Sequence, residues 1–349
     1  MSFDIHFCGN DEIDLVRDFL HIHWARDHVL SWHRALMDFQ HKDRARNRYT
    51  FVLARRVSDK ELVSVLGFIP TSLYDADLAG RSVIMLALWK VRSHAGVTGL
   101  GLRLLQYLVQ HELHVAIGVA GINKDHPSMY KALGFNSAEY QQHYMRNWRI
   151  TKPSLGRFPG LGNPQRPKAG NARLEPLLRE DFYRAVEGID VGQRADLLPA
   201  KSPRYFFERF LNHPVYRYEL NLVRLEGRPA GILASRLASH EGHHALRIID
   251  YYGEETILGE LGGEIDALLE RSGAEHADIW SYGISGDTLL KAGFRRVDPD
   301  GAVIVPNFFE PFTPQNSRIR FSFKSITGAP FVLFRADGDQ DRPNRVAHS

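Results

Sequence analysis

The chain of 349 residues has little cysteine, little net charge and no long apolar run. Its one cysteine, Cys8, excludes an internal disulfide and leaves no cysteine pair for zinc or redox chemistry. Lysine and arginine number 44 against 41 acidic residues, a formal charge of +3. The basic residues are scattered rather than striped, so no nucleic-acid partner is expected. No apolar stretch approaches the ~20 residues that cross a bilayer, so no membrane partner is expected. The opening MSFDIHFCGNDE has no basic region followed by an apolar core, and the expectation is a cytoplasmic, reducing location. The 17 histidines match no HExxH pattern, and no metal is expected. HEGHH (240–244) reads as an exposed hairpin tip.

What is present suffices for two cores. The length exceeds one ordinary core, and 44% hydrophobic with 24% charged residues is a common globular composition. Apolar periodicity predicts helices at 11–24 and 28–41, a meander at 48–57, 62–73 and 81–91, and a helix at 100–113. A buried strand at 114–123, a short helix at 128–135 and a strand at 140–148 follow. Residues 151–171 are rich in proline, glycine and basic side chains and read as a linker. The same order of elements then resumes, with a hairpin around Glu226-Gly227. The short helices MYKALGF and LLKAGF echo each other most clearly, which implies duplication of one unit. The fold class is α/β (α+β), with a mixed, mostly antiparallel sheet flanked by helices in each half. The boundaries read as 1–150, the linker 151–171, 172–315, and a C-terminal hairpin with an acidic tail at 316–349.

Chemistry concentrates in Val91-Arg92-Ser93-His94-Ala95-Gly96-Val97-Thr98-Gly99-Leu100-Gly101, between a strand and a helix. Gly99 and Gly101 admit positive φ and close approach of a ligand. The helix start adds unpaired N–H groups and partial positive charge, together a site for pyrophosphate. The same turn also serves as a plain strand-to-helix connection. It lacks the Gly-Lys-Ser/Thr of a Walker loop, and it follows a meander rather than the first strand of a dinucleotide fold. The second half lacks such a turn: Gly262 and Gly263 read as lying inside a helix rather than at its start.

A meander, this glycine turn, a long helix, a strand and Tyr-x-x-x-Gly-Phe resemble the GCN5-related N-acetyltransferase superfamily, here as two tandem units. Ser93 stands where that family commonly has proline, and Gly96 where it has arginine or glutamine. The resemblance implies acyl-coenzyme A as co-substrate, bound by the first unit alone. It places the cofactor against Trp89, Val91, Gly96, Val97, Thr98, Gly99, Gly101 and Asn123, and makes Tyr130 the acid beside the thioester sulfur. The base is left open between Asp125, His126 and water.

The layout also resembles tandem acyltransferases of bacterial surface-polysaccharide pathways, which N-acylate nucleotide-linked amino sugars. That implies a dTDP- or UDP-linked amino sugar as the small-molecule partner. His28 and His41 from the entry helices, and Asp337, Asp339 and Asp341 from the tail, are the substrate-binding expectations. Along an extended chain the three aspartates would project to one side; a solvated acidic turn is the plainer reading. The basic linker residues Lys152, Arg157, Arg166 and Lys168 could face a diphosphate. A non-catalytic acyl-coenzyme A sensor and an N-acetyltransferase of peptide or antibiotic amines stay open as alternatives, as do monomer and homodimer.

Overall fold

The computed structural model describes residues 2–92, 98–123, 127–162 and 164–344. The first half runs β1 (Phe3–Gly9), α1 (Ile13–His23), α2 (Val29–Trp32), α3 (Arg34–His41), β2 (Arg48–Arg56), β3 (Leu62–Pro70) and β4 (Val83–Val91). It continues with α4 (Leu100–His111), β5 (Ala116–Ala120), α5 (Pro127–Ala132), β6 (Asn136–Glu139) and β7 (Gln141–Arg146). The second half supplies β8 (Ala172–Pro176), β9 (Glu219–Leu225), β10 (Arg228–His240), β11 (His243–Gly253), α6 (Gly262–Ser272), β12 (His276–Tyr282) and α7 (Gly286–Lys291). Two late strands close the chain, β13 (Arg320–Ser325) and β14 (Leu333–Phe334).

These elements form two large mixed sheets flanked by helices, each an antiparallel meander followed by one parallel strand. The helix flanks explain the apolar runs. In β2, Val52 and Ala54 pack under α4, while Phe51 and Leu53 face α1 to α3. A strand covered on both faces reads as continuously apolar. On α4, Leu100, Leu104, Leu105 and Leu108 are buried, the spacing of one helical stripe. Both expected hairpin tips are present. Glu226-Gly227 and Glu241-Gly242 have positive φ at both central positions, as two-residue hairpin turns require. β1, missed in the sequence reading, pairs antiparallel with β2.

The sheets do not follow the expected boundaries at 150 and 316. β7 leaves the first half and lies antiparallel on β12 of the second sheet. β13 returns from the second half and lies between β5 and β6 of the first. This reciprocal exchange builds a shared core, where Met85, Tyr140 and Phe321 meet Trp280, Phe331 and Leu333. Long-range pairing decided it; Phe321 and Trp280 are buried there on residues that local pattern assigned to separate units.

Candidate acyl-transfer cleft

β4 carries one residue more than its partner. Gly67 of β3 faces Leu88 and Phe68 faces Leu86, which leaves Ala87 as a bulge. A bulge bends and re-aims a strand. Up to that point β4 pairs in parallel with β5, from Val83↔Ala116 to Leu86↔Val119. Beyond it the two strands part, and a cleft of ≈ 640 Å³ opens between them. The Arg92 amide donates to the Val63 carbonyl at 2.9 Å. Antiparallel alternation then turns the main-chain groups of Trp89 and Val91 away from β3 and into the cleft.

The helix that follows aims its start at the same space. Gly99, the residue before α4, has φ +82° and no side-chain cap. With Gly101 and Leu102 it lines the cleft. A Cβ at Gly101 would stand 2.9 Å from Trp89 Nε1, so a side chain there would have to displace the indole that lines the cleft. The amides of a helix's first turn have no partner within the helix and attract an anion. The residues present therefore fit a diphosphate with an extended pantetheine arm.

Tyr130 stands on α5, across the cleft from Trp89, with ring centroids 6.3 Å apart, and packs edge-on against Phe135. No hydrogen bond engages its hydroxyl among the described residues. Burial pushes its pKa up to about 12, so it stays protonated at neutral pH. Asn123 lines the cleft at the end of β5, and Trp24 closes one side. Thr98 is exposed beside Gly99. Gly96, Val97, Asp125 and His126 lie outside the described residues.

The C-terminal segment departs from both readings of it. It is neither extended nor a solvated turn: it folds back in tight turns, with Gly338 at φ +75°, and sends its three carboxylates to three places. Asp337 is buried against Lys201, with Nζ–Oδ1 at 3.0 Å, and accepts from the Phe334 amide at 2.7 Å. Lys201 also meets Asp250 at 2.7 Å. Burial first, with Asp337 adding to it, pushes Asp250 up to about 6 against the pull of Lys201. Asp341 takes a two-pronged bond from Arg236, at 2.7 and 2.9 Å, and one from the Tyr218 hydroxyl at 2.7 Å. Burial opposes its ionisation, yet Arg236 and Tyr218 hold it well below the usual carboxylate range. Neither Asp337 nor Asp341 lines the cleft.

Asp339 does line the cleft, with Gln340 and Arg342. Its side chain is 11% exposed and accepts from Arg342 Nη1 at 3.2 Å. Burial pushes its pKa up in spite of that guanidinium. Arg209 fixes the approach by donating to the carbonyls of Ala336 and Gly338. Lys201, Arg209 and Arg236 were missed by sequence reasoning. The available signal was one charged residue inside an apolar strand, as in ILASRLAS and LRIIDYY, which implies a buried partner.

His41 does not reach the cleft. It is fully buried, 2.9 Å from the Thr50 hydroxyl and packed at a tilt against Phe51, and burial pushes it down to about 3. His28 caps α2 by accepting from the Leu30 amide at 3.3 Å, and it too stays neutral, pushed down to about 3 by burial. Their apolar surroundings explain both: a buried imidazole without a carboxylate cannot hold charge. Arg166 and Lys168 line a separate groove against α7. Lys152 and Arg157 do not line the cleft either.

The second sheet repeats the geometry, and the chain's own β14 takes up part of the gap, leaving a cavity of ≈ 710 Å³ lined by Tyr251, Gly253, Tyr282 and Phe331. Ala234 faces Asp250 and Ser235 faces Ile248, leaving Ile249 as the bulge of β11. Parallel pairing with β12 runs only to Ile248↔Ile279. β14 then pairs with Ser281 and Tyr282 of β12 inside the gap. Gly262 and Gly263 open α6, contrary to the expectation that they lie inside it, but the linker covers them. A Cβ at Gly263 would stand 3.1 Å from Ala169 Cα, and one at Gly262 would stand 2.6 Å from the Ala292 carbonyl.

No protein-family model and no curated protein sequence matches the chain. Solved structures do. A GCN5-related N-acetyltransferase from Anabaena variabilis ATCC 29413 aligns with TM-score 0.57 and 12% identity, over 93% of this chain and 73% of that one. A conserved protein of unknown function from Enterococcus faecalis V583 aligns with TM-score 0.52 and 13% identity, over 93% and 73%. The GCN5-related glucosamine N-acetyltransferase region of a fungal multi-domain GH3 β-N-acetylglucosaminidase gives TM-score 0.51 and 11% identity, over 93% of this chain and 38% of that longer one. At such identities the likeness is one of architecture, and by architecture the chain carries the GCN5-related N-acetyltransferase fold in two tandem units.

Proposed function

We propose that the protein transfers an acyl group from acyl-coenzyme A to the primary amine of a small molecule, a nucleotide-linked amino sugar. One observation carries the reading. The parted strands β4 and β5, the uncapped start of α4, the Tyr130 hydroxyl and the Asp339 carboxylate all border one cleft. Acyl-coenzyme A supplies an activated thioester; the remaining chemistry belongs to the chain. The first-turn amides of α4 hold the diphosphate, and main-chain groups of Trp89 and Val91 hold the pantetheine arm and oppose charge on the thioester oxygen. Asp339 takes a proton from the acceptor ammonium. As the C–N bond forms and the C–S bond breaks, Tyr130 gives its proton to the departing sulfur, and the second proton shed by the acylated nitrogen restores the phenol.

An amino sugar is favoured because one solved structure of the same fold is a glucosamine N-acetyltransferase region. The test mixes protein, acetyl-coenzyme A and a panel of dTDP- and UDP-linked amino sugars, and titrates free thiol. Thiol release with at least one amine is expected. Cofactor binding with no release for any amine would overturn the reading.

A further inference from the structure

Behind Asp339 lies a second cavity, of ≈ 150 Å³, that shares Asp339, Gln340 and Arg342 with the cleft. Its walls carry four guanidiniums, Arg236, Arg247, Arg335 and Arg342, and three carboxylates: Asp341, already paired with Arg236, Asp339, paired with Arg342, and Glu310, which accepts from the Tyr216 hydroxyl. Arg236 is fully engaged by Asp341. The other three are not. Arg247, 3% exposed, donates to the Pro306 carbonyl at 3.0 Å and stands 3.7 Å from Asp278. Arg335, 4% exposed, donates to Asn307 at 2.6 Å and more loosely to Asp278 at 3.4 Å. Among the described residues the Nε–H groups of Arg335 and Arg342 are buried without a hydrogen-bond partner, and that of Arg247 has only Asp278 Oδ1, at 3.7 Å. One carboxylate, Asp278, serves two arginines, and Asp339 is the only one bonded to Arg342. Burial, and after it the Arg335 guanidinium, push Arg247 down to about 9 against the pull of Asp278. Buried donors of this kind are costly unless something completes them.

We infer that this arginine-lined cavity receives an anionic group of the acceptor, a phosphate or a carboxylate, while the acceptor amine lies at Asp339. A cavity of about this volume admits one benzene-sized group, which suits one phosphate or carboxylate and not a whole sugar. Guanidinium forks match both oxyanions. The inference rests on the acyl-transfer reading and sharpens it: the substrate is an amine that carries a negative group close to its nitrogen-bearing ring.

The experiment compares glucosamine, glucosamine 1-phosphate and glucosaminuronate as acceptors with acetyl-coenzyme A. The three share an amine and differ in the anionic group. Charge-assisted bonds of this kind lower KM by about tenfold or more for the favoured anion, and the preferred derivative separates phosphate from carboxylate. Inorganic phosphate or acetate should compete with the acceptor and not with acetyl-coenzyme A. Arg247→Met should erase the preference while leaving the KM for acetyl-coenzyme A unchanged. Equal KM values for all three acceptors, with neither anion competing, would overturn the inference. If no amine releases thiol, acyl transfer falls, and the cavity is then judged by thermal shift of the unmodified protein with phosphate and acetate. A rise in Tm that Arg247→Met abolishes upholds an anion site; no rise with either anion removes it.

Discussion

The amide of Ala336 donates to the carbonyl of Ile249 at 3.1 Å, and so covers in the second unit the bulge that the first leaves open at Ala87. Ile249 and Ala87 are the bulge residues of equivalent strands. In the first unit the main-chain groups beyond the bulge face a cleft; in the second they meet the protein's own C-terminal segment. The start of α4 opens on the first gap while the linker covers the start of α6, so the proposal is one pantetheine site per chain. Titration calorimetry should give a stoichiometry of one acetyl-coenzyme A per chain. Gly99→Asp should abolish that binding, because it sets a carboxylate against the diphosphate and forces φ +82° on a residue with a Cβ. Two equivalents bound, or full affinity in Gly99→Asp, would contradict the single-site reading.

The C-terminal segment is held to the second unit by buried charge. Lys201 faces Asp250 and Asp337 with none of the three side chains more than 1% exposed. Removing one member of such a cluster leaves carboxylates uncompensated in a dry interior, a loss of about 3–5 kcal/mol. Lys201→Met should show that loss in chemical denaturation. Where the variant still folds, thiol release should fall with it, since Asp337 is two residues from Asp339. A variant as stable as the parent would mean that the cluster does not anchor the segment.

The folds of the two halves were legible because their signals are local. A glycine pair before a helix, Glu-Gly hairpin tips and the matching MYKALGF and LLKAGF each fix their own backbone within a few residues. The same locality hid the rest. Nothing in QQHYMR says that it will pair with HADIWS rather than with its own half, and nothing in DGDQD says that Asp337 and Asp341 pair with Lys201 and Arg236 while Asp339 pairs with Arg342 close by. The histidines misled because frequency says nothing about burial: His41 stands in a strand-facing position and is spent on Thr50.

Asp341 offers a test in acid. Its folded pKa lies below the ordinary carboxylate value of about 3.9, so its pairing with Arg236 contributes stability above that value and loses it as pH falls toward the folded pKa. Asp341→Asn leaves Arg236 buried without its counter-ion, at a cost on the order of 3 kcal/mol near pH 7. The stability gap between parent and variant should stay constant from pH 7 to about 5 and narrow below about 4. A gap that does not change with pH would mean that charge at Asp341 plays no part.

The two groups that move protons make opposite predictions. Asp339 acts as a carboxylate, and burial has raised its pKa, so the rate should climb with pH along a limb displaced above the ordinary value of about 3.9. Asp339→Asn should remove that limb and lower kcat by about 100-fold or more, within the usual range for a lost general base, while acetyl-coenzyme A affinity is unchanged. Tyr130 acts as a phenol, and burial holds it protonated up to about 12, so it adds no descending limb in the working range. Tyr130→Phe should lower kcat at every pH without altering the shape of the profile or the cofactor affinity. The two profiles, measured by thiol release under saturating acetyl-coenzyme A, separate the roles. If Asp339→Asn retains the ascending limb, the base is elsewhere; if Tyr130→Phe turns over as fast as the parent, the sulfur leaves without help from its hydroxyl.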